Sequence, residues 1–208
     1  MLCKTERQVL KKFPHGIDKL EIGSGSNPEA GYVHLDIQKN LPKLDILADV
    51  RCLPLPNNFV VDHIRAVHIM EHFCHPQHAG KAMIRKYGST LEILKECYRV
   101  LKPGAKLKIV TPDFARIARS AFLKRVELET LQQWSVGGHD NEFDVHHWLW
   151  THEDAYHWFA QVGFKDLQDW NPIDKKEMIK LNLIKSAPGG KNWYRFEWQH
   201  WLFFEGTK

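Results

Sequence analysis

Three short hydrophobic runs, each closing on a glycine turn or an acid, constrain this chain more than anything else in it. They are Ile17 to Ile22 with its continuation Gly23-Ser24-Gly25, Tyr32 to Ile37 containing Asp36, and Leu44 to Asp49. Runs of this length, rich in branched residues and bounded by turn formers, read as buried strands. Val61 to His68 makes a fourth and Ala105 to Thr111 a fifth. Before the fifth, Ser89 to Leu101 has helical spacing: Ser89 and Glu92 make a capping box, and Leu91, Leu94, Tyr98 and Leu101 share a face. Pro103-Gly104 then turns the chain into the strand.

Downstream, Asp113 stands as the N-cap of a helix carrying Phe114, Ile117, Ala121 and Phe122, with Arg116, Arg119 and Lys124 on its wetter side. A further helix is expected over Thr151 to Val162, closed by Gly163. The strand-like runs Phe164 to Trp170 and Arg195 to Glu205 end the pattern. Strands alternating with helices, then a closing pair, predict an α/β fold. The expected form is a Rossmann-like open sheet of about seven mostly parallel strands, the last antiparallel, with helices on both faces. One connection strains that pattern: only Ser26 to Gly31 separates Gly25 from the second strand, so the crossover helix shrinks to about a turn.

At 208 residues, 43% hydrophobic, the chain suits one well-buried domain spanning 1–208. Residues 1–16 form an N-terminal helical extension, in which Lys4, Arg7, Lys11 and Lys12 surround Val9, Leu10 and Phe13. Residues 171–194 form a loop excursion between the last two strands. The net charge of +4 is a small excess over 29 basic and 25 acidic groups, and nucleic acid is an unfavoured partner. Cys3, Cys52, Cys74 and Cys97 make no Cys-x-x-Cys pair, there is no signal peptide, and no run reaches the roughly 18 apolar residues of a membrane span. A cytoplasmic location with reduced thiols and no membrane partner is expected.

Open α/β sheets bind ligands at the carboxyl ends of their strands. There, Gly23 and Gly25 let backbone approach a ligand closely, and Ser24, Ser26 and Asn27 offer donors. Asp36 is placed to accept from both hydroxyls of a ribose, and Asp49 from the exocyclic amine of an adenine. A dinucleotide fits poorly. Position 28 is proline where a third glycine would stand, and Asp36 lies 11 residues past Gly25 rather than about 20.

The ordered set Leu20-Glu21-Ile22-Gly23-Ser24-Gly25-Ser26-Asn27-Pro28, Gly31 to Ile37 and Asp45 to Val50 resembles class I S-adenosylmethionine-dependent methyltransferases, and more narrowly their type 11 group. Leu53 to Phe59, His68-Ile69-Met70-Glu71-His72 and Tyr98 to Gly104 extend the resemblance over residues 17–114. It implies S-adenosyl-L-methionine as cofactor and S-adenosyl-L-homocysteine as product. Glu21, Gly23 and Gly25 would hold the methionine part, Asp36 the ribose, and Asp49 with Val50 the adenine, with Ser24, Asn27 and Ile37 also among the cofactor-binding residues. His68 would stand beside the sulfonium. Ala105 departs from the family's second glycine after Lys-Pro-Gly.

Methyl transfer needs an aligned acceptor and, for a hydroxyl, a base. Imidazole suits that task at neutral pH. By position the candidates are His68, Glu71 and His72, then Asp113, then His147 within a second set that includes His139, Asp140 and His146. Thirteen histidines invite a metal, but Pro76 interrupts the run His68, His72, His75 and His78, and neither His-Glu-x-x-His nor paired-cysteine spacing occurs. No metal is expected. Trp134 to Trp150, with Gly137-Gly138, reads as an acceptor-binding loop or as core. Arg116, Arg119, Lys124 and Arg125 read first as a solvated helix face. The resulting expectation is a methyltransferase for a small-molecule or glycan acceptor, with a non-catalytic adenosyl-binding module as the alternative. A nucleic-acid enzyme ranks third, because Thr111-Pro112-Asp113-Phe114 stands where base-directed enzymes carry Asn/Asp-Pro-Pro-Tyr/Phe.

Overall fold

The computed structural model describes residues 2–123, 128–139, 143–170 and 201–208. Seven strands form one mixed sheet in the order β3-β2-β1-β4-β5-β7-β6. They are β1 Ile17–Ile22, β2 Val33–Asp36, β3 Ile46–Leu47, β4 Val60–Val67, β5 Lys106–Pro112, β6 Lys165–Asp169 and β7 Trp201–Thr207. The first five are parallel, and β7 runs antiparallel between β5 and β6, as expected from the closing pair. The expected 171–194 excursion, with the first residues of the last predicted run, lies outside the described residues.

The helices are α1 Glu6–Lys12, α2 Lys81–Tyr87, α3 Thr90–Val100, α4 Phe114–Phe122, α5 Leu128–Val136 and α6 His152–Val162, with a 3-10 turn at Met70–His72. Three of them carry a capping box. Thr5 and Gln8, Ser89 and Glu92, and Thr151 and Asp154 form reciprocal boxes, each cap contributing about 1 kcal/mol. Gly163, with φ of 109°, closes α6 in the left-handed conformation. Within α3 the buried stripe is Ile93, Leu94, Cys97 and Val100. Leu91 and Tyr98 are only partly buried beside the core, so the packed face is rotated from the one the spacing predicts.

One sheet face is apolar. Leu20 and Ile22 of β1, Ile64 and Ala66 of β4, Leu107 and Ile109 of β5 and Phe204 of β7 join the α3 stripe and Phe159 of α6 in a single core, each large side chain contributing about 1.5–3 kcal/mol. The opposite face carries a charged row in register: His34, Glu21, Arg65, Lys108 and Glu205 on five adjacent strands. Glu21 accepts from His34 Nδ1 at 3.0 Å and faces Arg65 at 3.5 Å. Arg65 also pairs with Glu29 at 3.3 Å.

Two connections are shorter than the sequence suggests. From Ser24 to Tyr32 the chain makes turns and not even one helical turn. The Glu29 amide is instead tied to the Glu21 carboxylate at 2.9 Å, which pulls the link flat onto the sheet. Strand β3 spans two residues rather than six, flanked by Asp45 and Asp49, whose carboxylates accept from the amides of His34 and Arg51. Cys3 extends that edge by bridging Ile46.

Candidate active site

The carboxyl ends of β1, β2 and β4 converge on the turn Gly23-Ser24-Gly25. Its geometry requires glycine twice. Gly23 and Gly25 have φ of 63° and 56°, a region that costs a side-chain-bearing residue about 1–2 kcal/mol. A Cβ on Gly23 would overlap the Ile69 side chain, whereas one on Gly25 would meet nothing within 4 Å. Gly23 therefore serves packing, and Gly25 keeps a space open. Between them, Ser24 is buried, and among the described residues its hydroxyl is one of few buried polar atoms without a partner.

Asp36 ends β2 and is buried. Its Oδ2 accepts from the Gly25 amide at 3.0 Å and its Oδ1 from the Gln38 amide at 2.9 Å. Each oxygen keeps a lone pair for a further donor. Next to it Ile37 is 46% exposed, an apolar side chain left partly open to solvent. Asp49 lies past β3, held by the Arg51 guanidinium at 2.9 and 3.0 Å. Burial raises its pKa, but the hydrogen bonds from Arg51 outweigh that and leave it below the ordinary carboxylate value. Val50 is buried beneath it. Asn27 is exposed on the link. Glu21, by contrast, turns its carboxylate into the charged row and onto the Glu29 amide, so it positions the link.

At the end of β4 the backbone is strained. His68 has φ of 54°, rare for a residue with a side chain and found where function over-determines geometry. Its amide is fixed to Val110 O at 2.9 Å, and its Nδ1 lies 3.2 Å from Glu71 Oε1. Glu71 is wholly buried, and its Oε2 accepts from the Thr111 hydroxyl at 2.9 Å. Burial pushes the Glu71 pKa up. The hydrogen bond from His68 and the potential of His72, His68 and His146 outweigh it and hold the carboxyl at about 2.

The remaining candidates divide. His72 lies edge to face with His146, ring centroids 5.0 Å apart. His147 donates its amide to Glu71 O at 2.8 Å, but its ring packs on Tyr87 at 4.1 Å, and burial lowers its pKa. Asp113 is the α4 N-cap, accepting from the Arg116 amide at 3.1 Å and ion-paired to the Arg116 side chain. Burial raises its pKa. Of the α4 face, Ile117 alone is buried, while Phe114 and Phe122 stand exposed. Trp150 is core, bridged to Asp113, and Trp148 packs on His75. Asp140, Lys124 and Arg125 lie outside the described residues.

Position relative to the fourth strand marks Glu71 in the sequence, but nothing in the spacing joins it to His146. Their union comes from residues 145–148, whose amides at His147 and Trp148 both donate to Glu71 O.

The sequence matches no family model and no curated protein. Among solved structures the fold is that of class I S-adenosylmethionine-dependent methyltransferases. A Haloferax volcanii methyltransferase, solved with the Trm112 methyltransferase activator, is 13% identical with a TM-score of 0.52, over 97% of this chain and 92% of that one. A Thermotoga maritima methyltransferase is 19% identical, with a TM-score of 0.51, over 98% and 88%. Phosphoethanolamine N-methyltransferase 2 of Haemonchus contortus, solved with phosphomonomethylethanolamine and S-adenosylhomocysteine, is 15% identical with a TM-score of 0.54. The match takes in 98% of this chain and 52% of that enzyme. At these identities the likeness is one of fold. Among the described residues no helix is long and apolar enough to cross a membrane.

Proposed function

We propose that the protein is an S-adenosylmethionine-dependent methyltransferase acting on a hydroxyl of a small-molecule or glycan acceptor, with His68 as the base and Glu71 holding it. The observation that carries this reading is the turn at Gly25: its amide is held by the buried Asp36 carboxylate at 3.0 Å, and a Cβ there would meet nothing within 4 Å. Bare backbone beside an open space lets a ligand approach closely, and each Asp36 oxygen keeps a lone pair for a ligand hydroxyl. The residues fit an adenosyl group: Gly25 and Ser24 beside its amino-acid end, Asp36 at the ribose hydroxyls, Ile37 as an apolar plane, and Asp49 with Val50 at the base.

When bound, S-adenosylmethionine supplies a methyl group activated by its sulfonium, open to in-line attack by an acceptor lone pair. The protein orients and deprotonates. A proton on His68 Nδ1 directed at Glu71 fixes the tautomer and leaves Nε2 to take the acceptor proton, the logic by which a carboxylate holds an imidazole base. The low Glu71 pKa keeps that carboxylate ionised throughout the working range.

Incubation with S-adenosylmethionine and a panel of hydroxylated sugars and small metabolites, read as S-adenosylhomocysteine release, tests the reading. At least one acceptor should give turnover that His68→Ala abolishes. Cofactor binding with no turnover on any acceptor class would point to a non-catalytic adenosyl-binding module.

A further inference from the structure

Glu71, His72 and His146 each bring one ligand atom within 4.8 Å of the other two. We infer that these three residues form a binding site for a first-row divalent cation at the carboxyl end of β4.

Three features make the cluster a built site rather than a chance meeting of side chains. The first is the orientation of the rings. His72 Nδ1 donates to Val145 O at 3.1 Å and His146 Nδ1 to Trp134 O at 2.9 Å. With Nδ1 protonated on each ring, the nitrogen left with a lone pair is Nε2. A backbone carbonyl holding the far nitrogen is how metal-ligating histidines are fixed in tautomer and direction.

The second is the carboxylate. Glu71 is wholly buried, and among the described residues its side chain is met by the His68 imidazole and the Thr111 hydroxyl rather than by a lysine or arginine. A buried carboxylate calls for a cation, and a metal ion beside it answers that need more fully than an imidazole.

The third is the scaffold. The 3-10 turn Met70–His72 presents Glu71 and His72. The amides of His147 and Trp148 lock onto Glu71 O, and the His146 amide onto Val136 O at 3.0 Å, so His146 is carried to the other two by main chain. Ligands on fixed backbone are the condition for a site of defined geometry.

Two imidazoles and one carboxylate suit zinc, cobalt, manganese or iron in the divalent state. Ligand bonds of about 2.1 Å place neighbouring ligands roughly 3 to 3.5 Å apart, so binding draws the rings inward by small side-chain rotations. Three protein ligands leave coordination positions open. On the reading that His68 faces the transferred methyl, those positions hold an acceptor oxygen beside the base and lower its pKa. Neither His-Glu-x-x-His spacing nor a cysteine pair announces the site, because its third ligand arrives from a distant loop.

The test is a titration of chelator-treated protein with cobalt(II), followed by visible absorption, in the absence of S-adenosylmethionine. The expected result is one equivalent bound, with affinity reduced at least about tenfold in His72→Ala and in His146→Ala. His152→Ala, which changes an exposed histidine paired with Asp169, leaves the affinity unchanged. Circular dichroism and S-adenosylmethionine titration of the same variants establish that each is folded. No stoichiometric binding, or binding that survives both substitutions, overturns the site. Because the titration contains no cofactor, its failure and failure of the methyltransferase reading are told apart.

Discussion

The two halves of the candidate site are built from different material. On the side proposed for the adenosyl group the surfaces are mostly main chain: two glycines at positive φ, an amide of Gly25 held by Asp36, and a link pinned by the Glu29 amide. On the side proposed for the acceptor they are side chains, with Glu71 at the centre of His68, His72, His146 and Thr111. A main-chain site is broken by adding atoms, since a Cβ fills the space a ligand needs. A side-chain site is broken by changing chemistry at constant volume. Substitutions of these two kinds should therefore separate binding from turnover.

The largest effect is expected on the acceptor side. His68→Ala and Glu71→Gln should each lower kcat by about a hundredfold to ten-thousandfold and leave the S-adenosylmethionine dissociation constant within about twofold. Steady-state kinetics beside calorimetry reads both, and parallel loss of binding would erase the distinction between halves. Next is Gly23→Val, which drives side-chain atoms into Ile69 and forces a positive φ on a branched residue. Overpacking of about 1–3 kcal/mol adds to the backbone cost, so melting temperature and cofactor binding should fall together. Ile69→Ala in the same chain should restore part of the stability.

A smaller effect marks the border of the acceptor half. Asp113→Ala removes the α4 cap and should cost about 1 kcal/mol of stability with kcat unchanged. A large fall in kcat would return Asp113 to the chemistry. The smallest effect is the pH dependence set by His63, away from both halves. Burial pulls its pKa down, helped by Lys108, and the ring lies 2.6 Å from the Tyr32 hydroxyl. The folded state therefore resists protonation that the unfolded chain accepts near pH 6.5. The stability from the neutral ring is present above that pH and lost as pH falls below it. Melting curves from pH 7.5 to 5 should decline, and His63→Gln should flatten the decline.

The same contrast explains which features are legible in the sequence. The adenosyl half lies within a few dozen consecutive residues, so the Gly23 turn, Asp36 and their strands follow from local runs and turn chemistry, and the helix caps Ser89 and Thr151 are equally local. Strand β3 is shorter than its apolar run suggests, since such a run does not register where side-chain bonds such as those of Asp45 and Asp49 to backbone amides begin. The acceptor half was legible only in pieces. His68, Glu71 and His72 follow the fourth strand, but His146 joins them through amides of residues 147 and 148 that bond to Glu71 O, a contact with no periodic signature. Asp113 shows a strand-end position whose capping role is local: its carboxylate accepts from the Arg116 amide.

Isothermal titration with S-adenosylmethionine tests the central claim most directly. Saturable one-to-one binding is expected, which Asp36→Ala weakens at least about tenfold, about 1.4 kcal/mol, with His146→Ala binding the cofactor as the parent does. No binding by the parent protein, or binding indifferent to Asp36, would contradict it.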